Sequence, residues 1–160
     1  ALLEGINRFG KGPCHLVVPQ CSRIRKAGGR GTWEASDLDL LLKGLSSSLN
    51  FDSKRIYLTG NSMGGYGSWT WGGKSPQHFA AIAPVVGGIG PGGPKDVTPD
   101  LDQWAANLAK VPVYAFAGAN DRVVPAERSE RMVKAIRKAG GKLAKIKVYQ
   151  DQGHNDRQVD

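Results

Sequence analysis

Three residues of this 160-residue chain have the types and the order that nucleophilic catalysis needs: Ser62, Asp121 and His154. Ser62 stands in Gly60-Asn61-Ser62-Met63-Gly64, a G-x-S-x-G pattern that follows the β-branched and aromatic run Ile56 to Thr59. The need behind the pattern is steric. A serine at a tight strand-to-helix corner has strained backbone angles, so the positions two before and two after it are expected to lack side chains, as Gly60 and Gly64 do. The corner lifts the hydroxyl above the sheet edge, and the Met63 backbone N–H, at a helix N-terminus, can face an oxyanion. In this reading His154 takes the Ser62 proton as general base and returns it to the leaving group. Asp121 fixes the imidazole tautomer and stabilises its charge. With 22 glycines in the chain the five-residue pattern is weak by itself; the acid and the histidine that follow it give it weight.

Three positions so far apart in sequence need a scaffold that converges them. Residues 1 to 13 read as the tail of a helix ending near Phe9, then a turn. His15 to Pro19 reads as a short buried strand, and the polar, basic stretch Gln20 to Trp33 as a loop. Ser36 resembles an N-cap, and Leu38, Leu41, Leu42, Leu45 and Leu49 recur at helical spacing, which predicts a helix of about 14 residues packing its leucine face on a sheet. Strand Arg55 to Thr59 and the serine corner follow, then a helix carrying Tyr66, Trp69 and Thr70, and a strand over Ala80 to Val86. Thr98-Pro99 supplies an N-cap and a first-turn proline for a short helix with Leu101, Trp104, Ala105 and Leu108 inward. Val111 to Gly118 is a further strand, Pro125 opens the helix of Met132, Gly140-Gly141 closes it, and Leu143 to Tyr149 is the last strand. Alternating β and α elements predict one α/β layer structure with a mostly parallel sheet, whose carboxyl strand ends all point one way and form the ligand edge. Ser62, Asp121 and His154 each follow such an end.

Composition bounds the rest. Hydrophobic residues at 40% and charged ones at 22% describe a globular domain, and no run approaches the roughly 20 apolar residues of a membrane span. Ala1 to Gly5 lack the basic start and apolar core of a signal peptide. The net charge of +8 falls in two groups. Arg23, Arg25, Lys26 and Arg30 lie in a loop; Arg128, Arg131, Lys134, Arg137, Lys138, Lys142, Lys145 and Lys147 lie opposite apolar helix and strand positions. The second group reads as a solvated face, so no nucleic-acid partner is expected. Gly88, Gly90 and Gly93 form a formal G-x-G-x-x-G, but Pro91 and Pro94 interrupt it and no helix opens at Gly93, which argues against dinucleotide binding. Cys14 and Cys21 bracket the first strand; seven extended residues span about 23 Å, against the roughly 5.5 Å between Cα atoms in a disulfide, so they are not expected to pair with each other. The compartment stays open between cytoplasmic and secreted. His15 and His78 lack a placement like that of His154 and read as structural or surface residues. Trp33, Tyr66 and the loop from Gly87 to Pro94, including Gly88, are the candidate substrate walls, with plain packing the rival reading for Trp33 and Tyr66.

Val17-Val18-Pro19-Gln20-Cys21, Ile56 to Gly67, Phe79-Ala80-Ala81-Ile82-Ala83-Pro84, Gly118 to Pro125 and Gly153-His154 together resemble the esterase and "predicted peptidase" group of α/β-hydrolases. That group is related to phospholipase/carboxylesterase and polyhydroxybutyrate-depolymerase-like enzymes. The resemblance covers nearly all 160 residues. It implies an α/β-hydrolase domain over residues 1–160 and hydrolysis of small carboxylic esters through a Ser62 acyl-enzyme, with no metal or organic cofactor. It also implies a second oxyanion donor, just after a His-Gly motif on a strand ahead of the helix that ends near Phe9. No such motif is present, so the expectation is that the domain is N-terminally incomplete, with the donor supplied by a missing N-terminal segment or by another polypeptide. A non-catalytic α/β-hydrolase-fold binding domain, and a peptidase or thioesterase using the same three residues, are the rival readings.

Overall fold

The computed structural model describes residues 14–21, 33–89 and 100–155. In chain order its elements are α1 (Ala35–Ser48), β1 (Tyr57–Asn61), α2 (Met63–Lys74), a single 3-10 turn (Pro76–His78), β2 (Ala81–Val85), α3 (Leu101–Leu108), β3 (Val113–Gly118), α4 (Glu127–Lys138) and β4 (Ala144–Tyr149). The strands form one sheet in the order β1-β2-β3-β4, parallel at every pair. Parallel neighbours cannot be joined by a tight turn, so each pair is bridged by a crossover.

Register decides which residues become core. Leu58 lies beside Ile82, Ile82 beside Val113, and Val113 beside Ala144. Ile82, Val113 and Ala144 are 2% exposed, and the helices bury Trp69, Leu108, Met132 and Ile136 against this row. Because strand side chains alternate between faces, Tyr57, Thr59, Tyr114, Lys145 and Lys147 point to the opposite face, where they are exposed. The result is the expected α/β fold, a parallel sheet flanked by helices.

Several expectations shift. β1 begins two residues later than predicted and runs through Gly60 to Asn61, because Gly60 and Asn61 continue the ladder to Pro84 and Val85. α1 has the predicted length of 14 residues, but it starts at Ala35 with Glu34 at the N-cap and no side-chain cap, so Ser36 is not its cap. It packs against α2, with Leu38 in the core and Leu41 and Leu42 against it. Asp39 fastens the contact, accepting from Trp71 Nε1 at 2.7 Å and Ser75 Oγ at 2.9 Å. The strand predicted at His15 to Pro19 does not form: residues 14–20 are exposed, Val18 at 77%, and none of them joins the sheet. An apolar run becomes a strand only where ladder partners meet its backbone groups, and partners are invisible in the run itself.

α4 follows its periodicity, with Met132, Val133 and Ile136 inward, and ends as predicted. Gly140 takes φ +93, its N–H donates to Arg137 O, and the Gly141 N–H donates to Ile136 O, the paired closure that a left-handed residue makes at a helix end. Cys14 and Cys21 are not joined. Among the described residues no helix is long and apolar enough to cross a membrane. The helix expected to end at Phe9, the basic group Arg23 to Arg30, the stretch Gly90 to Pro94 and the Thr98-Pro99 cap lie outside the described residues.

Candidate active site

The three strand tips converge. Ser62 follows β1 at φ 52, ψ −110, a conformation that L-residues avoid and that marks the serine corner. Its Oγ donates to His154 Nε2 at 2.8 Å, and His154 Nδ1 donates to Asp121 Oδ2 at 2.8 Å. The Asp121 side chain is 0% exposed and that of His154 is 23% exposed. A buried carboxylate is costly unless its lone pairs are met. Here Oδ1 accepts the backbone N–H groups of Val123 and Val124, both at 2.8 Å, so Asp121 is held from one side by its own turn and offers the other oxygen to the imidazole.

Backbone stitching sets the separation of the last two tips. Ala119 N–H donates to Tyr149 O at 2.9 Å, Asn120 N–H to Gln152 O at 3.0 Å, and Asn120 Nδ2 to Gln150 O at 2.9 Å. The histidine loop thus crosses directly over the end of β3. Gly118 permits the crossing, since a Cβ there would lie 2.4 Å from Gln152 O. Sequence reasoning passed over Gly118; the signal was a glycine closing a strand ahead of Asn-Asp.

The serine corner rests on two close approaches. A Cβ on Gly60 would sit 2.4 Å from Gly64 O, so Gly60 is needed as expected. A Cβ on Gly64 would meet nothing within 4 Å. The second steric requirement falls instead on Gly65, whose Cβ would lie 2.5 Å from Val85 O and 2.7 Å from Gly87 Cα. Met63 opens α2; as a first-turn N–H it has no intrahelical acceptor and is free to face a developing charge.

The candidate substrate walls sort differently from expectation. Trp33 packs its ring on Gly67 and the core, and its Nε1 is buried with no partner among the described residues. Tyr66 and Gly88 meet at Arg128, which donates from Nη1 to the Tyr66 hydroxyl, lies over its ring at 5.9 Å, and covers Gly88. Arg128 was expected on the solvated face of α4. It is half-buried, and its Nε lacks a partner among the described residues. Helical periodicity shows which side of α4 is apolar but not that the Gly87-Gly88 turn lies against its first residues, so Arg128 was missed.

His78 lies 3.2 Å from Asp39, and His15 meets Asn50 O at 3.2 Å; neither enters the Ser62 cluster. A cleft of about 550 Å³ lined by Asp39, Lys43, Lys54, Ile56 and His78 lies near the amino ends of β1 and β2, at the edge opposite Ser62. Among the described residues no group of three or more His, Cys, Asp or Glu is placed to hold a metal ion.

Comparison with known proteins places this chain in a family. The model of the dienelactone hydrolase family matches residues 30–156. The chain belongs to the dienelactone hydrolase family. That family lies within the α/β-hydrolases, the superfamily that the motifs resemble. Among curated relatives, a Salmonella typhimurium protein provisionally named a carboxymethylenebutenolidase is 35% identical over 109 residues, which make up 64% of this chain and 37% of that protein. Among solved structures, a thermostable esterase matches with 34% identity and TM-score 0.61, over 72% of this chain and 28% of that one. A protein from Klebsiella pneumoniae described provisionally as a dienelactone hydrolase matches with 27% identity and TM-score 0.59, over 75% of this chain and 48% of that one. This chain therefore spans well under half the length of the curated relative.

Proposed function

We propose that this dienelactone hydrolase family chain carries the catalytic centre of a serine hydrolase that cleaves carboxylic esters, with Ser62 as nucleophile. The observation that carries the reading is the unbroken relay from Ser62 Oγ to His154 to Asp121, two hydrogen bonds of 2.8 Å each. As Ser62 Oγ attacks the ester carbonyl, its proton passes to His154 Nε2. The imidazolium so formed is steadied by Asp121 Oδ2, while the carbonyl oxygen gathers negative charge facing the Met63 N–H. Collapse expels the alcohol, which takes the proton back from His154 and leaves an acyl group on Ser62. Water, deprotonated by His154, then releases the acid. No step calls on a metal or an organic cofactor.

The names of the relatives point toward small esters, cyclic enol esters among them, as the substrate class. Arg128 and Tyr66 are the candidate wall. The test uses short-chain nitrophenyl esters and a fluorophosphonate probe. Turnover by the wild type, with loss of turnover and labelling in Ser62→Ala, is the expected result. Turnover retained in Ser62→Ala would refute the serine mechanism, and absence of both turnover and Ser62 labelling in the wild type would favour a binding domain. Competing ester, thioester and amide substrates separate esterase from thioesterase and peptidase.

A further inference from the structure

Ser129, on α4, is 0% exposed, and the reaction outlined above does not use it. Its hydroxyl donates to Gly87 O at 2.9 Å and accepts from Trp69 Nε1 at 3.3 Å. One side chain thus ties together α4, α2 and the turn that leaves β2.

That turn is strained. Val86, 1% exposed, sits at φ 40, a genuine outlier for a β-branched residue, and such a conformation persists only where the surroundings over-determine it. On its near side, Val85 O accepts the Ser62 N–H at 3.0 Å. At its centre, the Val86 N–H donates to Phe116 O at 2.9 Å. On its far side, Gly87 O is fixed by Ser129, and the Gly87 backbone lies against Gly65 in the first turn of the helix that follows Ser62. Three consecutive residues therefore run from the serine's own amide to the Ser129 hydroxyl, with the strain between them.

We propose that Ser129 is a positioning residue for Ser62. By anchoring Gly87 O it keeps Val86 in its left-handed conformation, and so keeps Val85 O where it receives the Ser62 N–H. Without the hydroxyl, Gly87 O loses a donor in a dry site, Val86 is released toward an ordinary φ, and the amide of residue 62 opens. Trp69 Nε1 supports the arrangement from α2 by donating to the same hydroxyl, which orients its proton toward Gly87.

The direct test is amide hydrogen exchange, read by NMR on the full chain, at Ser62 and Val86 in Ser129→Ala. The control is Ile136→Val, a volume reduction on the same helix at a site that is also 0% exposed. After normalising to global stability, Ser129→Ala speeds exchange of the Ser62 amide roughly tenfold, the loss of about one hydrogen bond, and Ile136→Val leaves it unchanged. Equal Ser62 exchange in the two variants would overturn the proposal. Should Ser129→Ala fail to fold, Ser129→Cys, a weaker donor of similar size, is read against the same control. The kinetic arm rests on the hydrolase reading: kcat for a nitrophenyl ester falls about tenfold with KM within about twofold. A wild-type chain without ester turnover would count against that reading alone, because the exchange comparison stands or falls independently.

Discussion

Gly65 and Gly87 meet backbone to backbone: a Cβ on Gly65 would lie 2.7 Å from Gly87 Cα, and one on Gly87 would lie 2.4 Å from the Gly65 carbonyl carbon. The contact brings the first turn of α2 down onto the exit of β2, which seats the corner carrying Ser62. Neither side can yield by rotating a side chain. Gly65→Ala and Gly87→Ala are therefore each expected to cost about 1–3 kcal/mol by overpacking. Gly64→Ala, with open space around it, is expected to be neutral or to gain about 0.4–1 kcal/mol from a less mobile unfolded chain. Urea denaturation of the three variants checks the order; Gly64→Ala as the most damaging of them would refute the packing assignment.

Asp121→Asn separates orientation from shape. The retained amide oxygen can still accept from Val123 and Val124, but an NH2 group can no longer accept from His154 Nδ1, so the imidazole loses the tautomer that keeps Nε2 open toward Ser62. If the relay is catalytic, ester turnover falls by roughly 10³- to 10⁴-fold while the circular dichroism spectrum is unchanged. A loss under tenfold would remove Asp121 from the mechanism.

Asp39 makes a prediction about stability alone. Its carboxylate accepts from Trp71 Nε1 and Ser75 Oγ and lies 3.2 Å from His78. Asp39→Ala strands the indole N–H at a buried tryptophan and is expected to cost about 1–2 kcal/mol, toward the low end because Asp39 is partly exposed. Nitrophenyl ester kcat measured on the same samples is expected to hold within about twofold, since the loss lies in folding and one kcal/mol of direct coupling would show as a larger change.

Gly140 tests conformation without packing. It sits at φ +93, and a Cβ there would meet nothing within 4 Å, so whatever Gly140→Ala costs is backbone strain, about 1–2 kcal/mol. Gly140→Asn should lose less, because asparagine tolerates the left-handed region. Thermal melts of both variants would show the ranking, and equal melting temperatures for wild type and Gly140→Ala would contradict the cap.

The meeting of Ser62, Asp121 and His154 was legible because strand tips are legible: each follows an apolar β-rich run, and parallel strands leave all such ends on one edge. Local rules of this kind also found the end of α4 at Gly140. What the sequence could not show was always a neighbour distant in the chain. The Leu16-Val17-Val18 run looks like a strand, yet among the described residues no strand lies beside it. Gly64 looked required because it completes the pattern, yet the approach of Val85 and Gly87 makes Gly65 the tight position. Arg128 sits on the charged side of its own helix by periodicity, and the Gly87-Gly88 turn covers it all the same. Gly118 has a role only through the loop that passes above it.

The strand order along the sheet is also the order of synthesis, each new strand being laid beside the one just made. On a ribosome, where earlier segments emerge first, the corner that holds Ser62 has its β2 partners Val85 and Gly87 well before residue 154 is made. His154 is the last of the three to emerge, so the relay proposed above closes only once the loop after β4 has been made.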